Sequence, residues 1–195
     1  MSAFLLSTIV IFIAELGDKS QLMAMTFAVR FRALQVLIGI TVATAIVHLA
    51  SVLLGAALGA AIPTGPISIL AGLAFFGFAA WTLRGDELTE EERSQAATTS
   101  KAAIVAVGTA FFLAELGDKT MLATVTLAAD NGGLTALIGV WAGSTIGMVA
   151  ADALAIAVGN ALGKRLPERL IKYGPAAAFA IFGVLLIVNG ARILA

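Results

Sequence analysis

Two stretches of this chain place acids and bases inside apolar runs. Phe12-Ile-Ala-Glu-Leu-Gly-Asp-Lys-Ser-Gln-Leu22 and Phe112-Leu-Ala-Glu-Leu-Gly-Asp-Lys-Thr-Met-Leu122 lie one hundred residues apart and agree at eight of eleven positions. Each carries Glu, Asp and Lys at i, i+3 and i+4, which in a continuous helix puts all three on one narrow face, extended by Leu22 and Thr26 or by Leu122 and Thr126. Each Glu stands four residues before its Lys, the favourable order for a helical ion pair. Pooled, the four acids Glu15, Asp18, Glu115 and Asp118 against the two bases Lys19 and Lys119 leave a formal charge of −2. One divalent cation, or two protons, neutralises it. Carboxylate oxygens suit hard or borderline ions such as Ca²⁺, Mg²⁺ and Mn²⁺, and Ser20, Thr120, Gln21 and the backbone can add oxygens. Met23, Met25 and Met121 lie close enough in sequence to soften such a site, although packing is the simpler role for a methionine. With no Cys and a single His, thiolate chemistry, disulfides and a dedicated zinc or copper site have no support.

The elements that must hold these residues follow from composition. Sixty per cent of the 195 residues are apolar, 12% are charged, and the mean hydropathy is +1.02; a soluble chain carries about 25% charge. The formal net charge is zero, so no basic surface points to nucleic acid. A hydrocarbon core needs about 20 apolar residues in a helix, and six stretches qualify, at roughly 3–29, 34–60, 66–84, 102–129, 134–162 and 174–194. Turn and charge signals separate them: Arg30 and Arg32, Pro63-Thr-Gly-Pro66, the polar segment 85–101, Asp130-Asn-Gly-Gly133 and Lys164-Arg-Leu-Pro-Glu-Arg169. The expected fold is therefore an all-α membrane protein with six transmembrane helices. The N-terminal run has no basic residue before it and contains Glu15 and Asp18, so it reads as a retained span rather than a cleaved signal.

The motif repeat divides the chain into three-helix units 1–84 and 102–195, joined by the linker 85–101. Leu37-Ile-Gly39 and Leu137-Ile-Gly139 repeat in the second helix of each unit. Three is odd, so the second unit enters the membrane from the opposite side, and the repeats are inverted. In that threading Arg30, Arg32, Arg84, Arg93, Lys101, Lys164, Arg165, Arg169 and Lys172 fall on one side and Arg192 on the other. The basic side is cytoplasmic, which puts the linker inside and both termini outside. Glu90-Glu-Glu92 reads as a solvated face of that linker.

Glu15 lies roughly 18 Å into its span, near the midplane. A charged side chain there costs about 2.5–3.5 kcal/mol, so six of them must meet one another. A single buried Glu–Lys pair can be purely structural; the same string twice, in inverted halves, points to function. His48 aligns with Met148 and Asp152 with Val52, so these two break the symmetry; each is a candidate for a proton route or a satisfied packing partner. Gly55-Ala-Ala-Leu-Gly59, Gly143-Ser-Thr-Ile-Gly147 and Gly159-Asn-Ala-Leu-Gly163 read as close helix approaches. Gly17 and Gly117 either loosen the helix beside the ion or allow close packing.

The paired strings Glu15 to Ser20 and Glu115 to Thr120 fit the pattern E-x-G-D-[KR]-[ST] without departure, and over nearly its whole length the chain resembles the Gdt family of cation–proton antiporters. The resemblance implies exchange of Mn²⁺, Ca²⁺ or both for protons, with Glu15, Asp18, Glu115 and Asp118 as the metal-binding acids. It implies no enzymatic activity and no prosthetic group. The short linker and lack of a targeting extension are similar to compact bacterial members, so the expected place is the plasma membrane. The partners are then the cation, protons and the bilayer; an oligomer is compatible with this, and the sequence sets no copy number. The rival reading is an intramembrane aspartyl protease built on Asp18 and Asp118, which needs one proton shared by a close acid pair. The Glu and Lys beside each Asp disfavour that sharing.

Overall fold

The computed structural model of the chain describes the backbone of residues 2–84, 103–162 and 168–195, and the side chains of these except 160–162 and 168–172. The linker 85–101, with Glu90 to Glu92, and the basic pair Lys164 and Arg165 lie outside the described residues. Among the described residues there are eight helices and no strand: α1 (Ala3–Glu15), α2 (Lys19–Arg30), α3 (Ala33–Ala61), α4 (Thr64–Arg84), α5 (Ala103–Glu115), α6 (Lys119–Asp130), α7 (Leu134–Leu162) and α8 (Glu168–Leu194). Four contain segments long and apolar enough to cross a membrane: Ala33–Ala61, Thr64–Arg84, Leu134–Gly159 and Tyr173–Leu194. Leu53, Leu70 and Ile181 stand exposed on these helices, as a lipid-facing surface requires.

The expected continuous spans 3–29 and 102–129 are each divided. α1 and α5 are 13 residues long, α2 and α6 are 12, and both breaks fall at the Leu-Gly-Asp of the repeated string. Local chemistry sets the other boundaries. Ser2 caps α1 by accepting from the Leu5 N–H, and Pro63 follows the end of α3, where it cannot continue the backbone ladder. Pro66 sits in the first turn of α4, where its missing N–H is not needed.

The two halves interlock. α1 lies along α7, α5 and α6 lie along α3, and α2 also meets α7, so each broken helix is held mainly by the long helix of the other half. α4 pairs with α8. Glycines set the distances. A Cβ on Gly143 would stand 2.4 Å from the Phe4 carbonyl oxygen, and one on Gly147 2.6 Å from that of Thr8. In the other half a Cβ on Gly55 would stand 2.3 Å from the Val125 oxygen, and one on Gly59 2.5 Å from that of Ala129. These small-residue patterns do what their spacing suggested; Gly159 faces the Met25 side chain, and Gly163 lies outside the described residues. Where α4 meets α8, Phe75 packs edge-on against Phe78 at 5.7 Å and Phe179 at 5.6 Å between ring centres. A polar tie adds to this packing: Trp141 Nε1 donates to the Ala45 carbonyl at 2.9 Å, joining α7 to α3.

Because the close glycines touch backbone rather than flexible side chains, Gly55→Ala and Gly143→Ala force two helices apart. Each is expected to destabilise by about 1–3 kcal/mol, read as a lower melting temperature in detergent. Gly77→Ala, where a Cβ meets nothing within 4 Å, is expected to leave the melting temperature unchanged or raise it.

Candidate cation-binding site

The site is built where the helices break. α1 ends at Glu15; the Leu16 N–H bonds the Ile13 oxygen at 3.1 Å and the Asp18 N–H bonds the Glu15 oxygen at 3.0 Å. Gly17 sits at φ 80° and so does Gly117, the left-handed region that side chains avoid. A Cβ on Gly117 would meet nothing within 4 Å. Of the two roles expected for it, packing is therefore excluded: the backbone conformation demands glycine there. Asp18 and Asp118 then occupy the N-cap positions of α2 and α6, with nearly identical backbone angles, and Asp18 accepts from the Ser20 N–H. The break removes the continuous register on which a Glu, Asp and Lys face depended, so that expectation is corrected. Asp18 stands at a helix start, not on the flank of α1.

Each half ties its own two acids together through a hydroxyl. Ser20 Oγ donates to Glu15 Oε2 at 2.5 Å and lies 3.4 Å from Asp18 Oδ2. Thr120 Oγ1 donates to Glu115 Oε2 at 3.0 Å and lies 3.5 Å from Asp118 Oδ2. The lysines cross between halves. Lys119 Nζ bonds Asp18 Oδ1, with both side chains sealed (2% and 0% exposed), and Lys19 Nζ stands 3.9 Å from Asp118 Oδ1, at 17% and 4%. The acids converge as well: Glu15, Asp18 and Glu115 each offer a carboxylate oxygen, all three within 4.8 Å of one another and buried. Opposite oxygens around a Ca²⁺-sized ion stand about 4.6–5.2 Å apart, so three of the four expected ligands already have the spacing of a coordination shell. Asp118 is buried at the same break, beside Thr120 and Lys19. Glu15 Oε1 and Glu115 Oε1 have no hydrogen-bond partner. A buried anionic oxygen without a donor is costly, and a cation between them removes the cost.

The remaining expected residues separate by role. Gln21 accepts from the Gly17 N–H at 2.7 Å and donates to the Ala151 oxygen at 2.8 Å, so it braces the first break against α7. Its counterpart Met121 takes the Gly117 N–H on sulfur at 3.1 Å. Met23 is buried in an apolar cluster with Phe27 and Ile40, which is packing. His48 is buried with Nδ1 3.3 Å from Thr145 Oγ1. Asp152 is buried on α7, and neither carboxylate oxygen has a hydrogen-bond partner. Sequence reasoning missed the breaks, the crossed Lys–Asp pairs and the Gln21 brace. A signal for the first was present: Gly-Asp-Lys-Ser inside an apolar run has the residues of a helix N-terminus.

The family described as divalent cation/proton antiporter GDT1 matches residues 3–90 and 103–193. The chain belongs to the GDT1 family. Among its GDT1 relatives, the "Putative manganese exporter" of Vibrio cholerae serotype O1 is 30% identical over 94% of this chain and 90% of its own length. GDT1-like protein sll0615 of Synechocystis sp. is 29% identical over 94% of this chain and 96% of its own. GDT1-like protein 2, chloroplastic, of Oryza sativa subsp. japonica is 29% identical over 94% of this chain, which spans only 60% of that longer protein. No solved structure matches the chain. Membership in GDT1 makes this an integral membrane cation/proton antiporter and not an enzyme, which removes the aspartyl protease reading.

Removing one partner of a sealed ion pair leaves the other charge stranded. Lys119→Met is expected to cost about 3–5 kcal/mol, and Lys19→Met, at a more open pair, clearly less. Thermal unfolding of both variants in one detergent and buffer checks the order; equal losses contradict the asymmetry.

Proposed function

We propose that this protein exports a divalent cation, Mn²⁺ before Ca²⁺, in exchange for protons, with Glu15, Asp18, Glu115 and Asp118 as the cation ligands. The observation that carries the reading is the convergence of carboxylates from both halves at two buried helix breaks, with an unpartnered oxygen on each Glu. Ser20 and Thr120 hold the acids in place, and Lys19 and Lys119 limit the site to a surplus of two negative charges. One divalent cation or two protons neutralises that surplus, so the two compete for one place. Preference for Mn²⁺ is supported by the name of the Vibrio cholerae relative. Cation and protons are cargo, and no prosthetic group takes part.

In this reading the chain has six spans in two inverted three-helix repeats, 1–84 and 102–195, the first span of each being a broken helix. Discontinuous helices meeting at the midplane are the usual site architecture of such transporters. The repeated helix order, with α3 and α7 both 29 residues long, supports it. Alternating access follows if one half rocks against the other while the breaks stay together at the centre. The charge bias places the linker 85–101 in the cytoplasm and both termini outside, in a bacterial plasma membrane. His48 and Asp152 remain the two groups outside the motif that a proton route would use.

The test is metal movement in inverted vesicles with an imposed pH gradient. Glu15→Gln and Asp118→Asn are expected to lower Mn²⁺-for-proton exchange at least tenfold while the protein still inserts. Undiminished exchange by both variants refutes the assignment, and faster exchange of Ca²⁺ than Mn²⁺ reverses the order of preference.

A further inference from the structure

We infer that two apolar seams are the two gates of the cation site, and that the seam between α1 and α6 parts more readily than the seam between α2 and α5. The inference deepens the alternating-access reading above and rests on it. None of Glu15, Asp18, Glu115 and Asp118 is more than 5% exposed, so a cation reaches them only where packing opens. Two clusters close over the breaks. In one, Val10 and Ile11 of α1 join Ala123 and Leu127 of α6; in the other, Met23 and Phe27 of α2 join Val107, Ala110 and Phe111 of α5. The first packs the helix that enters the first break on the helix that leaves the second, and the other cluster does the reverse. With both first spans broken at the midplane, the two seams seal the site from opposite sides.

A shift of one hundred residues maps one seam onto the other, and the two are unequal. Phe27 answers to Leu127, Phe111 to Ile11, and Met23 to Ala123; only Ala110, against Val10, is the smaller of its pair. Two positions also change polarity. Ser7 and Thr124 stand where the other seam has Val107 and Ala24, and all four are fully buried. Thr124 Oγ1 donates to the Thr120 oxygen at 2.9 Å, while the Ser7 hydroxyl, one turn before Ile11 on the same face, has no partner. Parting a seam puts its side chains in water, at a cost that rises with their apolar area. Two phenylalanines, a methionine and a valine therefore resist more than a leucine, an isoleucine, an alanine and a serine. A buried hydroxyl also gains partners when water arrives, and Val107 gains none. The first cluster continues into Phe75, Phe78 and Phe179, but these belong to α4 and α8 and pack on one another, not across the seam. In the proposed threading the lighter seam faces outside and the heavier one the cytoplasm, so at rest the site is offered to the outside.

The chain has no cysteine, so one introduced thiol reports water access without background. Ser7→Cys and Val107→Cys occupy equivalent places in the two seams. In sealed vesicles of each orientation, free of Mn²⁺, a membrane-impermeant thiol reagent is expected to modify Ser7→Cys from the outer face at least tenfold faster than Val107→Cys from the cytoplasmic face. Adding Phe27→Leu or Phe111→Ile, each copying the other half, is expected to speed modification of Val107→Cys at least fivefold without speeding that of Ser7→Cys. A protein that is merely loosened reacts faster at both. Where one of the two thinning variants does not insert, the other carries the test. Equal rates for the two thiols, or thinning that speeds both alike, overturns this inference; Mn²⁺-for-proton exchange by the same vesicles then leaves the proposed function standing. Absence of that exchange from wild type overturns the proposed function and the gates with it.

Discussion

The structure depends on compensating charge where water is absent. Glu15, Asp18 and Lys19 in one half, and Glu115, Asp118 and Lys119 in the other, lie inside an apolar chain, and at the centre of a bilayer each costs about 2.5–3.5 kcal/mol unless it is partnered. The two halves share the task. Lys119 is sealed against Asp18 and Lys19 approaches Asp118, so the two breaks must face one another. That requirement explains the interlocked packing, in which α1 rests on α7 and α5 on α3, and the glycines that let those backbones touch.

The helix breaks follow from the same need. A continuous helix projects side chains outward and keeps its backbone groups to itself. Ending α1 at Glu15 and restarting at Lys19 turns Asp18 into a cap and brings a helix end to the middle of the span. Glycine at φ 80° makes the turn with little strain, and Ser20 or Thr120 then bridges the two acids across it. Each half thereby presents a compact unit of Glu, Asp and hydroxyl. Two such units make the proposed site, which a cation or protons would satisfy.

The halves are alike in backbone and unlike in polar detail. Gln21 braces one break against α7, whereas Met121 offers sulfur at the other; one Lys–Asp pair is tight and sealed, the other looser and more open. Identical halves would give two access states of equal energy. Differences of this kind bias the pair, and in a two-state element a bias of about 1.4 kcal/mol is already tenfold in population. In the alternating access proposed above, such a bias sets which access state the protein prefers at rest, while the gradients set the direction of exchange.

By itself the sequence determined that the chain is helical and lipid-embedded, where most helix boundaries fall, and that acids and bases recur inside its apolar runs. Apolar run length, turn residues and duplication are local quantities, legible one residue at a time. Tertiary structure decided the rest. The Leu-Gly-Asp breaks were written in cap chemistry, but the surrounding apolar run gave the same signal as an unbroken span. That Lys119 answers Asp18, that Gln21 reaches Ala151, and that His48 finds Thr145 while Asp152 has no donor, depend on residues about a hundred positions apart. Spacing along one chain carries no record of which helix becomes whose neighbour; only packing does, because the energy of a buried charge is fixed by what surrounds it in space.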